Sequence, residues 1–380
     1  MTSPGPLVAC VALALASVGC AHASETPAPA AGATEDTSTT VAKGDGASDV
    51  EPGQTIGDTV EAADDVAPAI PPPLPDCLGT SAPLVVSGQG IPYATASVGG
   101  ASGWFLLDWA TTGSTIDELG FPLGGRPTAV PGTTNDYANF DFFGPWGTVD
   151  LDRQDHSGIN ASVRQAGILG TDFLSLHVYT LDFGGSAVYR APDAGCADDV
   201  LQGLGLRALS TKGHFSNDLS RVTGPNVPTV PVRVGGAEAA AQLDTGFDDA
   251  LVPGSVNVNA AFFEAIPESA RGRRRADLDI VLTTCVGLAE SVEAYEAAAP
   301  LEFVGTSGDV ARAVPGVILF VKRTPIEASA CGGIGTWTTP GAQVGASILS
   351  ASELLIFDPL TSRVWITSPH AGGRPPAPPT

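Results

Sequence analysis

The stretch Ala241–Pro253, AQLDTGFDDALVP, runs from small apolar residues into Asp244-Thr245-Gly246 and back into an apolar segment. That order predicts strand, tight turn, strand. Asp244 closes the first strand, Gly246 lets the backbone pass close by, and the Thr245 hydroxyl is placed to brace the turn. The product is a carboxylate held by backbone donors. A bare D-T-G arises by chance in many chains of this composition, so its meaning rests on what repeats around it.

Two echoes surround it. Val98-Gly99-Gly100 lies ten residues before Asp108, as Val234-Gly235-Gly236 lies ten residues before Asp244. Each aspartate ends an apolar run, Phe105–Leu107 in one case and Ala240–Leu243 in the other. Further on, Leu169–Phe183, LGTDFLSLHVYTLDF, matches Val344–Pro359, VGASILSASELLIFDP. Gly170 corresponds to Gly345, Leu174 to Leu349 and Asp182 to Asp358, with Tyr189 and Trp365 each seven residues beyond. Two copies of one β unit is the economical explanation.

These motifs resemble the aspartic peptidase superfamily, in particular retropepsin-like bacterial proteins whose halves carry an apolar-apolar-D-T-G turn and later G-I-L-G-x-D-F-L. Here the motifs are QLDTG at Gln242–Gly246 and GILGTDFL at Gly167–Leu174, and the likeness covers residues 90–190 and 228–367. The resemblance implies an all-β, bilobed acid-protease-like fold of two related β-barrel lobes with a cleft between them. The expected lobes are residues 77–220 and 221–368. It also implies catalytic Asp108 and Asp244, with Thr245 and Gly246 supporting the pair and Thr245 bonding across it. Single-copy relatives dimerise, whereas this chain carries both halves, as pepsin-like enzymes do, and is expected to be a monomer.

The first half departs from the pattern, because Trp109 and Ala110 follow Asp108 and a T-G-S-T run comes only at Thr112–Thr115. If the ten-residue spacing governs, Asp108 is the partner and Trp109–Thr111 are an insertion in the turn. If T-G-S-T governs, Thr111 stands where the aspartate belongs. Asp108 is favoured, since it ends its apolar run as Asp244 does; the alternative is a surface Asp in a degenerate lobe. The family also places a hairpin flap in this half. Tyr137–Asp152 has hairpin character with a turn at Gly144-Pro145, and Tyr137, Phe143 and Trp146 are candidates for a substrate wall or for core packing.

Peptide hydrolysis without a metal or covalent nucleophile needs one group to take a proton from water and another to give one to the carbonyl. Two facing carboxylates sharing a proton do both. At close range both cannot ionise, so the titration belongs to the pair. No cofactor is required. No metal site is expected either, since no two Cys or His have ligand-like spacing. His156, His177, His214 and His370 read as surface or structural residues.

Met1–Cys20 is apolar and uncharged, with a signal-length run Leu7–Val18. Ser17-Val18-Gly19-Cys20 resembles a lipobox with lipidation at Cys20, and Ala21-His22-Ala23 offers a rival secretory cleavage site. Residues 21–76 hold eleven acidic side chains and one base, Lys43, and read as a disordered Ala/Pro/Thr-rich spacer. Residues 369–380 form a Pro-rich tail. The rest keeps thirty acidic against seventeen basic residues, which disfavours nucleic acid as a partner. The one basic cluster, Arg271–Arg275, reads as a solvated loop. Glu290–Ala299 and Ala260–Ala270 are the two helical candidates in an otherwise β-patterned chain.

Cys77, Cys196, Cys285 and Cys331 remain after the leader. In an exported protein they predict two disulfides, and pairing within lobes gives Cys77–Cys196 and Cys285–Cys331. The expected protein is an exported aspartic endopeptidase acting on peptide or protein substrates, in the bacterial envelope or secreted, touching membrane only through a lipid anchor. The competing expectations are an inactive envelope lipoprotein that binds peptide or a protein partner in the same cleft, and a structural β-sandwich with a coincidental D-T-G.

Overall fold

A computed structural model describes residues 74–120, 132–159, 161–192, 194–215, 226–249 and 252–367. The leader with Cys20, the spacer up to residue 73, the tail and His370 lie outside the described residues. In the first half the strands are β1 (Thr80–Ser87), β2 (Ile91–Val98), β3 (Ala101–Leu107), β4 (Thr115–Ile116), β5 (Thr134–Asp141), β6 (Pro145–Arg153) and β7 (Gln165–Leu169). A one-turn helix α1 (Thr171–Leu174) then leads to β8 (Tyr179–Asp182) and β9 (Ala187–Arg190). Helix α2 (Asp198–Gly203) and β10 (Leu206–Ser210) connect to β11 (Thr229–Val234), β12 (Ala237–Leu243) and β13 (Ser255–Asn259). Helices α3 (Ala260–Ala265) and α4 (Glu268–Arg271) precede β14 (Arg273–Arg274), β15 (Ile280–Thr283), β16 (Ala289–Glu296), β17 (Leu301–Val304), β18 (Val310–Val314) and β19 (Ile318–Lys322). The chain closes with β20 (Gly341–Val344), α5 (Ala346–Ser350), β21 (Leu354–Asp358) and β22 (Arg363–Thr367). The class is all-β.

The two Val-Gly-Gly echoes are two copies of one hairpin. Gly99 and Gly100 have φ of 57° and 88°, and Gly235 and Gly236 have 58° and 87°. Two successive positive φ values are what a two-residue type I′ turn demands and what Gly supplies at little steric cost. Val98 pairs with Ala101 and Val234 with Ala237 across these turns. From there both halves follow one scheme. β2 pairs with β3, β3 with β7, β7 with β4, β4 with β6 and β6 with β5, alternating antiparallel and parallel. The same alternation joins β11, β12, β20, β13, β19 and β16 in that order. In the first half a Ser97–Asp141 pairing of β2 with β5 closes six strands into a barrel. In the second, β11 pairs instead with β17, which carries β18.

Six further strands form an antiparallel run, β10-β22-β21-β8-β9-β1, which reads alike from either end, while β14 and β15 pair with β16. Its middle pair is β8 with β21, joining the two LG and VG segments. β10 precedes residue 220 but pairs with β22, so it belongs by pairing to the second half. One buried cluster runs through both halves, from Phe105, Leu107 and Trp109 to Leu243, Val256 and Phe357.

Glu290–Ala299 is not a helix: Ala289–Glu296 is strand β16, pairing with both β15 and β19. Its Ala and Glu content favours helix only weakly. The alternation that buries Glu290, Val292 and Ala294 has the period of a strand, and pairing on both sides outweighs propensity. The other candidate, Ala260–Ala270, is helical in two pieces separated at Ile266-Pro267, with Asn259 Oδ1 accepting from Phe262 N at 2.9 Å as its N-cap. Arg273 and Arg274 are strand β14 rather than loop, and the cluster is paired locally, Arg274 with Asp279 and Arg275 with Asp277.

The disulfides are Cys77–Cys196 and Cys285–Cys331, with Cα–Cα distances of 5.0 and 5.6 Å. Both fit an oxidising, extracytoplasmic compartment. Among the described residues no helix is long and apolar enough to cross a membrane.

Candidate active site

β3 and β12 end in the same turn. Asp108 N donates to Leu169 O at 2.9 Å, and Asp244 N to Val344 O at 3.0 Å, so each aspartate is tied to the strand paired parallel to its own. Ala110 N donates to Asp108 Oδ1 at 2.8 Å, and Gly246 N donates to Asp244 Oδ1 at 2.9 Å. Trp109-Ala110 therefore stands directly where Thr245-Gly246 stands in the second half, and the expected insertion at Trp109–Thr111 does not exist. The mirroring continues: Thr171 N donates to Thr111 O and Ala346 N to Phe247 O, placing Thr111 opposite Phe247 rather than opposite an aspartate.

Behind each turn a serine–aspartate pair fixes the following short helix. Ser114 Oγ donates to Asp172 Oδ1 at 2.6 Å in the first half, and Ser347 Oγ donates to Asp249 Oδ2 in the second, with donor and acceptor exchanged between turn and helix. Burial pushes the Asp172 and Asp249 carboxyls up, while the serine donors pull them down.

Thr245 connects the halves. Its hydroxyl donates to Leu107 O at 2.7 Å and accepts from Trp109 N at 3.2 Å, so the second turn is bonded to the backbone on either side of Asp108. Trp109 cannot return the contact. Its indole is fully buried and stacks on Phe357 at 3.9 Å, and it carries no hydroxyl. Gly246 lies against the first carboxylate: a Cβ there would come within 2.8 Å of Asp108 Oδ2. Asp108 and Asp244 are 0% and 1% exposed. Burial first, and the negative charge of Asp108 second, push the Asp244 carboxyl well above its ordinary range, while donors from Gln343, Gly246 and Phe247 pull it down. Two acidic groups in this relation titrate as a pair and hold a proton where a lone carboxyl would have lost it.

Sequence reasoning missed the flank of Asp244. Gln343 Nε2 donates to Asp244 Oδ2, and Gln343 Oε1 accepts from Asn257 Nδ2 at 2.8 Å, all three residues being buried. Lys322 of β19 stands in the field of both Glu290 and Asp244; burial pushes its ammonium down from the usual lysine range against their pull. Gln343 is the polar residue of a strand buried at every position, a setting that only the folded structure reveals.

Other expected groups lie elsewhere. The hairpin of Tyr137–Asp152 is formed by β5 and β6, but its aromatics are engaged in packing. Trp146 Nε1 donates to Phe142 O at 2.8 Å, Phe142 stacks on Tyr179, and Tyr137 donates its hydroxyl to Glu118 at 2.7 Å. His156 bonds Thr115 Oγ1 at 3.0 Å, and His214 is enclosed beside Phe357. No family model matches the chain, and a search of curated proteins finds no match.

Proposed function

We propose that the protein is an exported aspartic endopeptidase in which Asp108 and Asp244, sharing one proton, activate water against a peptide carbonyl. On this reading the two repeats are the lobes of an acid-protease-like fold, Thr245 and Gly246 support the pair, and the substrate is an unfolded segment of peptide or protein. The observation that carries it is the mirrored pair of turns: two aspartates, each with its Oδ1 held by the amide two residues on, bonded across by Thr245. Such an arrangement supplies an acid and a base at one point, which is what this hydrolysis requires. The two disulfides support export. The leader is proposed to end at a lipidated Cys20, with the acidic spacer as tether.

A specific observation favours a second reading. Trp109 replaces the hydroxyl residue that would complete the crossing, and both carboxylates are sealed from solvent. An inactive relative that retains the cleft to bind peptide or a partner would look the same at rest. The test is hydrolysis of a denatured, fluorophore-quenched protein substrate from pH 3 to 7, with and without pepstatin. Pepstatin-sensitive cleavage that vanishes in both Asp244→Asn and Asp108→Asn is the expected result. Cleavage undiminished by Asp108→Asn removes that residue from the pair, and no cleavage at any pH favours the binder.

A further inference from the structure

The flank of Asp244 is built differently from the corresponding place in the first half. Across β13 and β20, Asn257 is the register partner of Gln343; across β4 and β7, the equivalent partners are Thr115 and Ile168. An aliphatic side chain thus stands where the second half carries a primary amide. We propose that Gln343, oriented by Asn257, is a positioning residue that holds Asp244 as the ionised member of the pair, so that Asp244 takes the proton from water. This rests on the peptidase reading above.

A glutamine amide has a donor end and an acceptor end, and the neighbour decides which faces a carboxyl. Asn257 Nδ2 donates to Gln343 Oε1, which turns Nε2–H toward Asp244 Oδ2. An N–H donor strengthens its bond when the acceptor is charged and cannot accept a proton from a carboxylic acid. The arrangement therefore rewards one protonation state of one aspartate. The titratable groups facing Asp244 are Asp108, from the turn after β3, and Lys322, from β19; Glu290 of β16 bears on Lys322 in turn. The repulsion between the Asp108 and Asp244 carboxylates is mutual and both are equally enclosed, so neither effect chooses which of the two ionises; Lys322 and the Gln343 amide favour Asp244. β20 and β13 contribute Gln343 and Asn257, which do not titrate. A fixed amide also sets the angle of the carboxylate, since Oδ1 is already bonded to Gly246 N.

The test uses the full chain with Gln343→Met and Asn257→Leu. Two readouts are followed across pH: kcat/KM on a quenched peptide, and the carbon-13 shift of labelled aspartate carboxyls, assigned with Asp244→Asn. Losing a hydrogen bond to a charged group should raise the lower apparent pKa of the pair by about one pH unit in Gln343→Met. Asn257→Leu should give a smaller rise in the same direction. The acid limb of kcat/KM should move with it while KM stays. An unmoved lower pKa in both variants overturns the proposal. If the unmodified protein cleaves nothing, the peptidase reading fails, and the carboxyl titration alone still decides whether Gln343 holds Asp244 ionised. If Gln343→Met does not fold, Asn257→Leu decides by both readouts.

Discussion

Thr245 shows how much one hydroxyl can hold. It fills one acceptor and one donor need of the strand that ends at Asp108, both buried, so its loss leaves Leu107 O and Trp109 N without that partner. Thr245→Val, which keeps the shape, should destabilise by about 2 to 6 kcal/mol, since each of the two buried orphans costs about 1 to 3 kcal/mol. Thr245→Ser should recover most of it, and thermal unfolding of the two variants side by side checks this. Gly246→Ala should also destabilise, because the added methyl would stand 2.8 Å from Asp108 Oδ2 and must displace that carboxylate. At this scale the sequence was informative about the aspartates and silent about their neighbours. Asp108 was found because an apolar run ends on it. The T-G-S-T run at Thr112–Thr115 suggested an insertion at Trp109–Thr111, yet the backbone turn requires only an amide two residues after the aspartate, which Ala110 supplies. Gln343 escaped because a single polar residue in a short strand carries no periodic signal.

Among the elements, those with local chemical causes were legible. The Gly-Gly hairpins, the LG and VG turns and the β5–β6 hairpin all follow from residues adjacent in sequence. β16 was not, since its partners are β14 and β15 nearby and β19 beyond an intervening hairpin, and pairing with all three holds the Ala/Glu segment extended. The cysteines bridge the same gap between local sequence and distant contact. Cys77–Cys196 spans 119 residues, tying the entry to β1 to the segment that follows β9, whereas Cys285–Cys331 spans 46 and ties the β15–β16 turn to the segment after β19. On the loop-entropy account the longer loop contributes about 5 kcal/mol and the shorter about 4 kcal/mol. The Cys77→Ala/Cys196→Ala double variant should therefore lower the urea midpoint at least as far as Cys285→Ala/Cys331→Ala. A clearly smaller effect from the first pair would mean that its segments are already ordered in the unfolded chain.

For the whole molecule, the proposed acid chemistry and the stability of the fold make opposite demands on pH. The chain carries a formal net charge of −23 at pH 7, which acidification relieves. Against that stands His214, fully enclosed beside Phe357, where burial pushes its pKa down to about 3. Above the ordinary histidine value near 6.5 both the folded and the unfolded protein hold this ring neutral, and it exerts no pH dependence. Between 6.5 and 3 the unfolded chain binds a proton that the folded protein refuses, so stability falls as pH falls through that window. From pH 7 to pH 4 the loss is about 3 kcal/mol, at 1.36 kcal/mol per pH unit below the unfolded value. His214→Asn removes the titration and suits the site, because residue 214 has a φ of 62° and asparagine tolerates that left-handed conformation well. Urea unfolding at pH 7 and pH 4 should show the unmodified protein losing about 3 kcal/mol more than His214→Asn. Equal losses would mean that His214 takes up its proton in the folded state, by water entry or by a shift of the segment that carries it. The expected loss also bounds the proposed activity: the fold weakens below pH 6.5, so hydrolysis should peak in mildly acidic solution, and loss of the folded fraction toward pH 3 should steepen the acid limb that the pair itself sets. In His214→Asn that acid-side fall should move to lower pH while the basic limb, set by Asp108 and Asp244, stays in place.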